Sequence, residues 1–485
     1  MTETTDRRWL ALALLAAAQF VVILDASIVN VALPSIGADL QFSQDDLSWV
    51  VNAYVLVFGG FLLLGGRMAD LLGRRRLFMI GLVLFAAASL AGGLAQDSTQ
   101  LIIARAIQGL GGALLSPAAL SLVTVLFAEG AERNKAMGVW GAVAGSGGAV
   151  GVLAGGMLTE WAGWEWVLFV NVPVGLAAAA LATRLLPESR NEGHRHFDVA
   201  GAVTITAGLS LLVYALVDAN SAGWTSGQTL GLGALALALI GAFYAIERRT
   251  KAPLVPFPGI FRIRTITGIN VSAVLIAAAL FSMFFFISLY MQQVLGFSAL
   301  DAGLAYLPLA VGIIVTAGAT SGLVTRFGFK PVLVAGLIIT AGGLVWFSQV
   351  SASGSYVGDV LFPSLLAAVG LGLAFVSMTV AAVSGVEGHE AGLASGLINT
   401  SQQIGGALGL AILATIANSR TEDALATASS PPVALTEGFQ SAFLVGAGFA
   451  IAAAILATVL ISGRASREHA EAARRGELQP APAAA

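Results

Sequence analysis

Two charged residues draw attention because each lies inside a long apolar stretch of the sequence. Asp25 is the only acid deep within such a stretch, and Arg105 is the only base. A carboxylate at hydrocarbon depth is costly unless it is paired, and protonation removes its charge. Asp25 could therefore carry a proton across a membrane, while Arg105 stays charged and senses whether that proton is present. We expect the two side chains to face each other, directly or through water.

Each of these residues also has a purely structural interpretation. Asp25 lies about 16 Å from the outer end of its helix at 1.5 Å per residue, so it could be a hydrogen-bonded carboxylate near the membrane interface. Arg105 could instead cap carbonyl groups of neighbouring helices. Both interpretations stay open from the sequence alone.

A glycine- and arginine-rich turn follows the second apolar stretch, at Gly65–Arg76. Glycine permits tight turns and close backbone approach, and the acid in this turn can pair with the arginines or with a helix end. Such pairs can hold one conformation and break in another, which predicts a gating role. Alternatively, the arginines only anchor the polar face. The residues assigned to conformational gating are Gly66, Asp70, Gly73, Arg74 and Arg75.

Neutral polar and aromatic side chains within the apolar stretches are candidates for a binding cavity. Gln19 and Asn30 share one face of the first predicted helix. The aromatic and sulfur-rich stretch 281–291 suits varied apolar ligands, although many phenylalanines on such a helix simply face lipid. The predicted substrate-binding residues are Gln19, Asn30, Asn52, Tyr54, Gln108, Asn270, Phe281, Phe285, Tyr290, Asn399, Gln402 and Gln403.

The apolar stretches that carry these residues recur along the whole chain. Of 485 residues, 57% are hydrophobic and 11% are charged, and the mean hydropathy is +0.87, which is far from the composition of a soluble domain. A hydrocarbon core of about 30 Å needs about 20 apolar residues per helix. We predict fourteen spans, near residues 9–33, 46–66, 77–96, 100–127, 134–159, 166–186, 198–218, 227–247, 265–292, 301–325, 331–350, 357–383, 392–417 and 438–462.

The distribution of charge tests this number of spans, because Lys and Arg concentrate in cytoplasmic loops. With fourteen spans, all of the 24 basic residues except Arg105 and Arg420 fall on one side. The loops on the other side carry mainly acids. Both termini are therefore predicted to be cytoplasmic. The first apolar stretch is too long for a cleavable signal peptide, so it is predicted to be a retained helix.

Several classes of protein are disfavoured by what the sequence lacks. There is no cysteine, which excludes disulfides and thiolate metal sites, and the four histidines lie in predicted loops or in the tail. No GxxxxGK[ST] phosphate loop is present, so ATP hydrolysis by this chain is not expected. Intramembrane groups typical of an enzyme and the repeated pore loop of a channel are also missing. We expect no enzyme activity, no cofactor, no metal and no nucleic-acid partner.

The glycine- and arginine-rich turn has a weaker counterpart in the second half of the chain. When Gly73 is aligned with Gly328, the stretch Ser321–Lys330 overlies the turn and Thr325 takes the place of Asp70. This repeat predicts two related six-helix bundles. The predicted organisation is a first bundle at 1–190, two additional helices and a linker at 191–260, a second bundle at 261–464 and a disordered tail at 465–485.

Six motifs, in the right order, resemble those of the fourteen-helix drug–proton antiporters of the major facilitator superfamily. They are LDASIVNVALPSI (Leu24–Ile36), GGRMADLLGRRR (Gly65–Arg76), LIIARAIQGLGGALLSPA (Leu101–Ala118), GVLAGG (Gly151–Gly156), FVNVPVG (Phe169–Gly175) and NTSQQIGGALGLA (Asn399–Ala411). The resemblance implies an all-α polytopic membrane protein with the major facilitator fold. It also implies proton-coupled antiport that exports hydrophobic drug-like or antibiotic molecules by alternating access, and hence antibiotic resistance.

The same resemblance associates the fifth helix with antiport. Small residues recur along this helix and predict a groove for a tightly packed partner. This sequence departs from the family pattern, because Val152 stands where the motif usually has proline after glycine. The glycines assigned to packing in this region are Gly141, Gly145, Gly148, Gly151, Gly155 and Gly156.

Fold alone does not fix the direction of transport. A proton-coupled uptake symporter, or an exporter of one specific metabolite, is therefore the alternative, although the fourteen spans and the fifth-helix glycines favour drug export. We expect a monomer in a bacterial cytoplasmic (inner) membrane. Its expected partners are small hydrophobic or cationic substrates, protons and membrane lipid.

Overall fold

Long α-helices make up almost all of the computed structural model, which describes residues 2–42, 47, 49–128, 130–189, 198–250, 255, 259–384, 391–427 and 430–475. The first eight are α1 (Thr2–Asp39), α2 (Trp49–Leu72), α3 (Arg74–Gly93), α4 (Ser98–Leu126), α5 (Ala131–Trp161), α6 (Asn171–Leu185), α7 (Val199–Ala222) and α8 (Gly227–Glu247). The next seven are α9 (Arg264–Leu289), α10 (Leu307–Phe327), α11 (Phe329–Phe347), α12 (Phe362–Val383), α13 (Ala391–Ala426), α14 (Pro431–Leu460) and α15 (Gly463–Arg475). Short α-helices at Trp166–Phe169, Gly259–Arg262 and Ala299–Ala305 and π-helical segments at Tyr290–Val294 and Tyr356–Leu361 flank these helices.

The number of membrane spans agrees with the sequence-based prediction. In the described residues, 13 helices are long and apolar enough to cross a membrane, and the number becomes 14 when α5 is taken as one bent span. Its two parts, Ala131–Gly148 and Val150–Trp161, meet at 45°. The bend falls in a glycine-rich stretch, where helix propensity is low.

The helix contacts group the spans into two bundles, α1–α6 and α9–α14. The bundles meet along α5 with α10 and along α2 with α13. Helix α7 packs against α2 and α13 at the second of these seams, and α8 packs on the outside of α7. Only 11% of the most apolar 18-residue stretch of α8 is buried, as expected for a helix that faces lipid.

The fourth helix of each bundle is the most enclosed. The most apolar 18-residue stretch is 83% buried in α4 and 89% buried in the span that contains α12. The helix α4 also carries Arg105 and Gln108, so these polar side chains are held inside protein rather than against lipid. Such placement is required for ionisable groups at membrane depth.

One end of the molecule, which we call the basic face, holds Arg74–Arg76, Lys135, Arg326 and Lys330. Two tight loops lie on this face, between α2 and α3 and between α10 and α11. Their glycines, Gly73 and Gly328, have φ values of 108° and 85°. Residues with a Cβ rarely adopt this conformation, so glycine is required at both positions. The equivalence of the two loops matches the repeat expected from the sequence.

The C-terminal region differs from expectation. Disorder was predicted from residue 465, but residues Gly463–Arg475 form α15, so that prediction is wrong for residues 465–475. Ser466, His469, Ala470 and Ala473 are buried on one face of this helix against the basic face. Spacing of three and four residues gives a stripe of this kind, which composition alone does not reveal. Residues 476–485 lie outside the described residues, as do 190–197 and most of the predicted linker 251–258.

Candidate functional site

Asp25 and Arg105 form a buried ion pair between α1 and α4. Arg105 Nη1 donates to Asp25 Oδ2 at 2.6 Å, and the two side chains are 1% and 0% exposed, respectively. The expectation that these two residues face each other is confirmed, and the contact is direct. Arg105 lies two turns from the start of α4, at the depth predicted for it.

Three neutral side chains complete the cluster around Asp25. Gln108 Nε2 and Asn171 Nδ2 donate to Asp25 Oδ1 at 2.8 and 2.7 Å. The same two nitrogens donate to Ser89 Oγ at 2.5 and 3.2 Å. Asp25 thus accepts three hydrogen bonds, two from side chains of α4 and one from α6, which matches an ionised carboxylate because that group is only an acceptor.

Arg105 makes further contacts through Nη1, through Nε and through the face of its guanidinium group. Its Nη1 also donates to Gln108 Oε1 at 2.6 Å, and its Nε donates to the carbonyl oxygen of Val50 at 3.0 Å. The guanidinium carbon lies 4.5 Å from the centre of the Tyr54 ring. Its Nη2 is buried without a hydrogen-bond partner. The orientation of Arg105 is therefore fixed by α2 as well as by Asp25.

Sequence reasoning missed Asn171 and Ser89 as members of this cluster and assigned Gln108 and Tyr54 to substrate binding. The structure places Gln108 and Tyr54 in the cluster, and both are almost completely buried. Asn171 begins α6 after a short helix. In the sequence it is a polar residue between apolar neighbours, and this was a usable signal. Ser89 gives no such signal, because a lone serine in an alanine-rich helix is common at packed helix contacts.

A largely apolar cavity of about 410 Å³ adjoins the cluster. Asn171 is its polar member, and the cavity lies between α1, α5 and α6. Its lining residues are Ala16, Ala17, Phe20, Val21, Leu24, Val143, Val170, Asn171 and Val174. A cavity of this size and polarity suits a small apolar molecule.

Asp70 joins the two bundles at the basic face. It is fully buried and accepts from the backbone N–H groups of Gly392 and Leu393, at the start of α13, each at 3.1 Å. Arg74 Nη2 donates to the same carboxylate at 2.7 Å. The free N–H groups of a helix start attract a carboxylate, so this contact favours the conformation in which α2 and α13 touch.

The backbones of α2 and α13 approach very closely beside this contact. A Cβ on Gly66 would collide with the carbonyl oxygen of Gly392 and would approach Gly396. Asp70 and Gly66, both predicted gating residues, thus lie at the junction of the bundles. The gating role itself stays a prediction.

Each tight loop of the basic face is bonded to the segment that ends its own bundle. We call residues 186–189 the first strap: Ser189 O accepts from Arg74 N at 3.0 Å, and Glu188 accepts from Arg75 N at 3.2 Å. Residues 458–466 are the second strap. Ser466 Oγ accepts from Lys330 N at 3.0 Å, and the Thr458 and Ile461 carbonyl oxygens accept from Lys330 Nζ at 2.7 and 2.8 Å. Arg75 also lies 3.7 Å from Glu188, so its observed role is to bind the first strap.

A second contact between the bundles lies at the counterpart of Asp70. Asn134, near the start of α5, donates from Nδ2 to Thr325 Oγ1 at 2.9 Å. Asn134 Oδ1 is 3.1 Å from His469 Nε2 of α15. Thr325 therefore contacts the fifth helix of the opposite bundle, as Asp70 does. The repeat pointed to Thr325, but Asn134 and His469 were not predicted to take part.

The fifth-helix glycines contact both bundles. A Cβ on Gly151 or Gly155 would meet the backbone of α1, and one on Gly141 would meet Val376 of α12. Gly156 faces Leu300 of the second bundle, whereas nothing lies within 4 Å of a Cβ on Gly148. The surroundings of Gly145 lie outside the described residues. Close approach thus accounts for three of the six assigned positions, Gly141, Gly151 and Gly155, whereas Gly156 makes an ordinary van der Waals contact.

None of the remaining predicted substrate-binding residues lines the cavity beside Asn171. Asn30 is exposed and donates to Ala26 O, and Gln19 is buried. Tyr290 is buried and donates to Ser351 O at 2.7 Å, so its hydroxyl is used in packing. Asn270 accepts from Ser401 and thereby joins α9 to α13. The side chains that are half-buried or exposed are Asn52, Phe281, Phe285, Asn399, Gln402 and Gln403.

The sequence has many relatives among characterised proteins. It is 41% identical over 466 residues to the puromycin resistance protein of Streptomyces alboniger, covering 94% of this chain and 92% of that one. It is 41% identical over 469 residues to the cephamycin export protein of Amycolatopsis lactamdurans, covering 95% and 94%. A multidrug transporter of Bacillus subtilis is 32% identical over 421 residues, covering 87% and 77%.

Solved structures share the fold at low sequence identity. The human organic anion transporter MFSD10 superposes with a TM-score of 0.69 at 14% identity, covering 93% of this chain and 99% of that one. The proton:xylose symporter XylE superposes with a TM-score of 0.67 at 15% identity, covering 95% and 97%. The sequence profile described as Major Facilitator Superfamily matches residues 15–410. The family match, the relatives, the two bundles and the motifs at their junction agree: the chain belongs to the major facilitator superfamily of membrane transporters.

Proposed function

We propose that this protein exports hydrophobic drug-like or antibiotic molecules across the bacterial cytoplasmic membrane in exchange for protons. The observation that carries the proposal is the fully buried ion pair of Asp25 and Arg105 inside the first bundle. The names of relatives at 41% identity, which are a puromycin resistance protein and a cephamycin export protein, support export. The partners are then protons, membrane lipid and small hydrophobic or cationic substrates, and the transporter acts as a monomer.

The geometry of the cluster explains how a proton and a substrate can compete. With Asp25 ionised, the pair with Arg105 has no net charge, and three donors hold the carboxylate. A proton on Asp25 removes its charge and converts one acceptor site to a donor, so the charge-assisted hydrogen bond from Arg105 is weakened. The cluster then carries the uncompensated charge of Arg105. A cationic substrate nearby is repelled in that state, and helix contacts that depended on the ionised acid are weakened.

Alternating access follows from the contacts at the basic face. We take this face as cytoplasmic, because basic loops concentrate there, and both termini then lie in the cytoplasm. The bonds of Asp70 to α13 and of Asn134 to Thr325 close the junction on that side. Opening toward the cytoplasm requires these bonds to break, and protonation of Asp25 changes the energetic balance between the two states.

The substrate class follows from the cavity beside Asn171. Its lining is apolar apart from this one amide, which also donates to Asp25. A bound molecule that displaces Asn171 removes a donor from the carboxylate and so affects the proton site directly. Export of one specific antibiotic is the second candidate, because relatives at 41% identity are named for single compounds.

Replacement of Asp25 by Asn tests this proposal. Asn mimics the protonated acid, so the variant is expected to bind substrate but to lose efflux driven by a pH gradient in proteoliposomes. Purified parent protein should release protons when a substrate is added, and D25N should not. The matched control is D39N, because Asp39 is an exposed acid at the end of the same helix. Proton release and uphill efflux by D25N at the level of the parent would place the proton carrier elsewhere, with Asp70 the next candidate.

A further inference from the structure

A cleft of about 220 Å³ lies at the basic face, where the two bundles and α15 meet. The transport cycle proposed above uses only Thr325 of its lining residues, and assigns no role to its basic side chains. Three separate elements enclose it, so its shape depends on the closed junction of the bundles. Its lining residues are Ala131 and Lys135 of α5, Ser321, Gly322, Thr325 and Arg326 of α10, and Arg474 of α15.

Three cations from three elements face this cleft, and no acid lines it. Lys135, Arg326 and Arg474 are exposed, and none of them forms an ion pair with any residue that the structure describes. Of the acids close to them in sequence, Glu132 lies 3.4 Å from Arg8, and Glu471 is exposed on α15. Three like charges around one cavity repel one another, so an anion bound among them is favoured.

The surface above the cleft is apolar and open. Gly322 lines the cleft, and Gly318 lies one turn further from the basic face on the same side of α10. Nothing lies within 4 Å of a Cβ built on either glycine, so the helix has a shallow groove there. Exposed Val315 and Val311 continue this groove toward the middle of the membrane. On α5, exposed Val139 lies one turn beyond Lys135.

The position of the cations at the end of an open apolar groove identifies the class of ligand. A free anion would use the cations and leave the groove empty. A phospholipid uses both, because its phosphate lies at the boundary of the hydrocarbon core and its acyl chain lies along the helix. Basic side chains at such a boundary attract anionic headgroups, and arginine binds phosphate with good geometry.

We propose that this cleft is a binding site for a phosphate-bearing anion, filled by the headgroup of one anionic phospholipid whose acyl chain lies along Gly318 and Gly322. The bound headgroup connects α5 of the first bundle, α10 of the second and α15. It therefore stabilises the conformation in which the basic face is closed. The site is separate from the Asp25 cluster and does not depend on the proton.

Binding of phosphatidylglycerol to the purified full-length protein, measured lipid by lipid with native mass spectrometry, tests the proposal. The test variant is K135Q/R326Q/R474Q. The matched control, R184Q/R249Q/R467Q, removes the same charge from exposed positions outside the cleft. Phosphatidylcholine and inorganic phosphate serve as the comparison ligands. A second variant, G318L, fills the groove and leaves the three cations in place.

The parent and the control are expected to bind one phosphatidylglycerol at least about tenfold more tightly than the test variant. Phosphatidylcholine should not discriminate among the three proteins. G318L should weaken phosphatidylglycerol binding as well, since it blocks the acyl chain. Equal binding of phosphatidylglycerol by the parent and the test variant would overturn the site. Displacement of the lipid by millimolar inorganic phosphate, with no effect of G318L, would overturn the assignment of the ligand as a phospholipid.

Discussion

The side chain of Arg105 connects its own helix, α4, with α1 and α2. Its guanidinium binds Asp25, Gln108 and the Val50 carbonyl and lies over the Tyr54 ring. A lysine at this position can reach the carboxylate but cannot make the planar set of contacts. R105K is therefore expected to keep part of the transport activity, whereas R105A should lose it.

Measurements of the stability of these variants separate the contribution of the ion pair from the contribution of the packing around Arg105. R105A leaves the Asp25 side chain without its cationic partner in the interior, and loss of one partner of a buried pair costs about 3–5 kcal/mol. The double variant D25N/R105A removes both charges, so its thermal unfolding temperature in detergent should recover toward that of the parent while pH-driven efflux stays absent. An equal loss of stability in R105A and in the double variant would show that Arg105 acts through packing alone.

The two charged members of the cluster were predictable, and its neutral members were not. Asp25 and Arg105 are evident because charge is rare and costly within apolar sequence. Asn171 and Ser89 carry no such cost, so their types alone do not mark them. Gln108 was recognised as polar and assigned to substrate binding, but its contact with Asp25 was not predicted, because the sequence does not show which way a helix face points.

At the scale of elements, Asp70 is the clearest test of the junction between the bundles. Its two carboxylate oxygens accept from two backbone N–H groups of α13. In D70N one oxygen becomes an NH₂ group, which faces an N–H group and cannot accept from it. We expect D70N to insert and fold but to transport more slowly.

The same change should open the basic face more often. Ser395 is fully buried one turn into α13, so a cysteine there, in this cysteine-free chain, reacts with a maleimide only when the junction opens. Labelling of S395C should be faster in the D70N background. E188Q is the control, because Glu188 binds a loop of the same face within one bundle. Unchanged labelling and turnover in D70N would leave Asp70 with an anchoring role only.

A separate prediction at the scale of elements concerns the attachment of α15. Asn134 bonds to Thr325 of the other bundle and to His469 of α15. N134A removes both bonds, and each net hydrogen bond is worth about 1 kcal/mol. Its apparent unfolding temperature should fall, and limited proteolysis should cut the C-terminal region faster. R464A, at an exposed position of the same helix, should change neither. Parent-like behaviour of N134A would show that α15 is held by its apolar face alone.

The error at α15 has a physical cause. The segment is rich in charged residues and alanine, and such a composition is typical of a solvated tail. Only the spacing of Ser466, His469, Ala470 and Ala473 shows a face that can pack, and that face is too small to be recognised without its partner surface. The long apolar spans, in contrast, were recognised because each must cross a membrane of known thickness.

The topology of the whole molecule can be tested through exposed positions at its two ends. Thr99 and Thr225 lie at one end and Arg249 at the other, and all three are exposed. Because the positive-inside rule places basic loops in the cytoplasm, T99C and T225C should be labelled by an impermeant maleimide in intact cells and R249C only after lysis. The parent, which has no cysteine, is the control. Labelling of R249C from outside would reverse the assigned orientation.

The overall fold was largely predictable, because repeated apolar spans, charge segregation and one duplicated loop all point to the same architecture. What the sequence does not show is how the bundles meet. The junction between the bundles depends on Asn134, on the start of α13 and on the bend in α5. Their contacts can be recognised only when the helices are placed beside one another.

The two straps bear on the order of events during synthesis. The first strap, residues 186–189, follows directly on α6, and the loop that it binds has been made before it. As soon as this segment leaves the ribosome, the first six helices possess the bonds from Glu188 and Ser189 to their own polar loop. The second strap closes the last six helices in the same way once it has been made. Each half can thus mature as a unit in the membrane, and only the bonds across the junction have to wait for the complete chain.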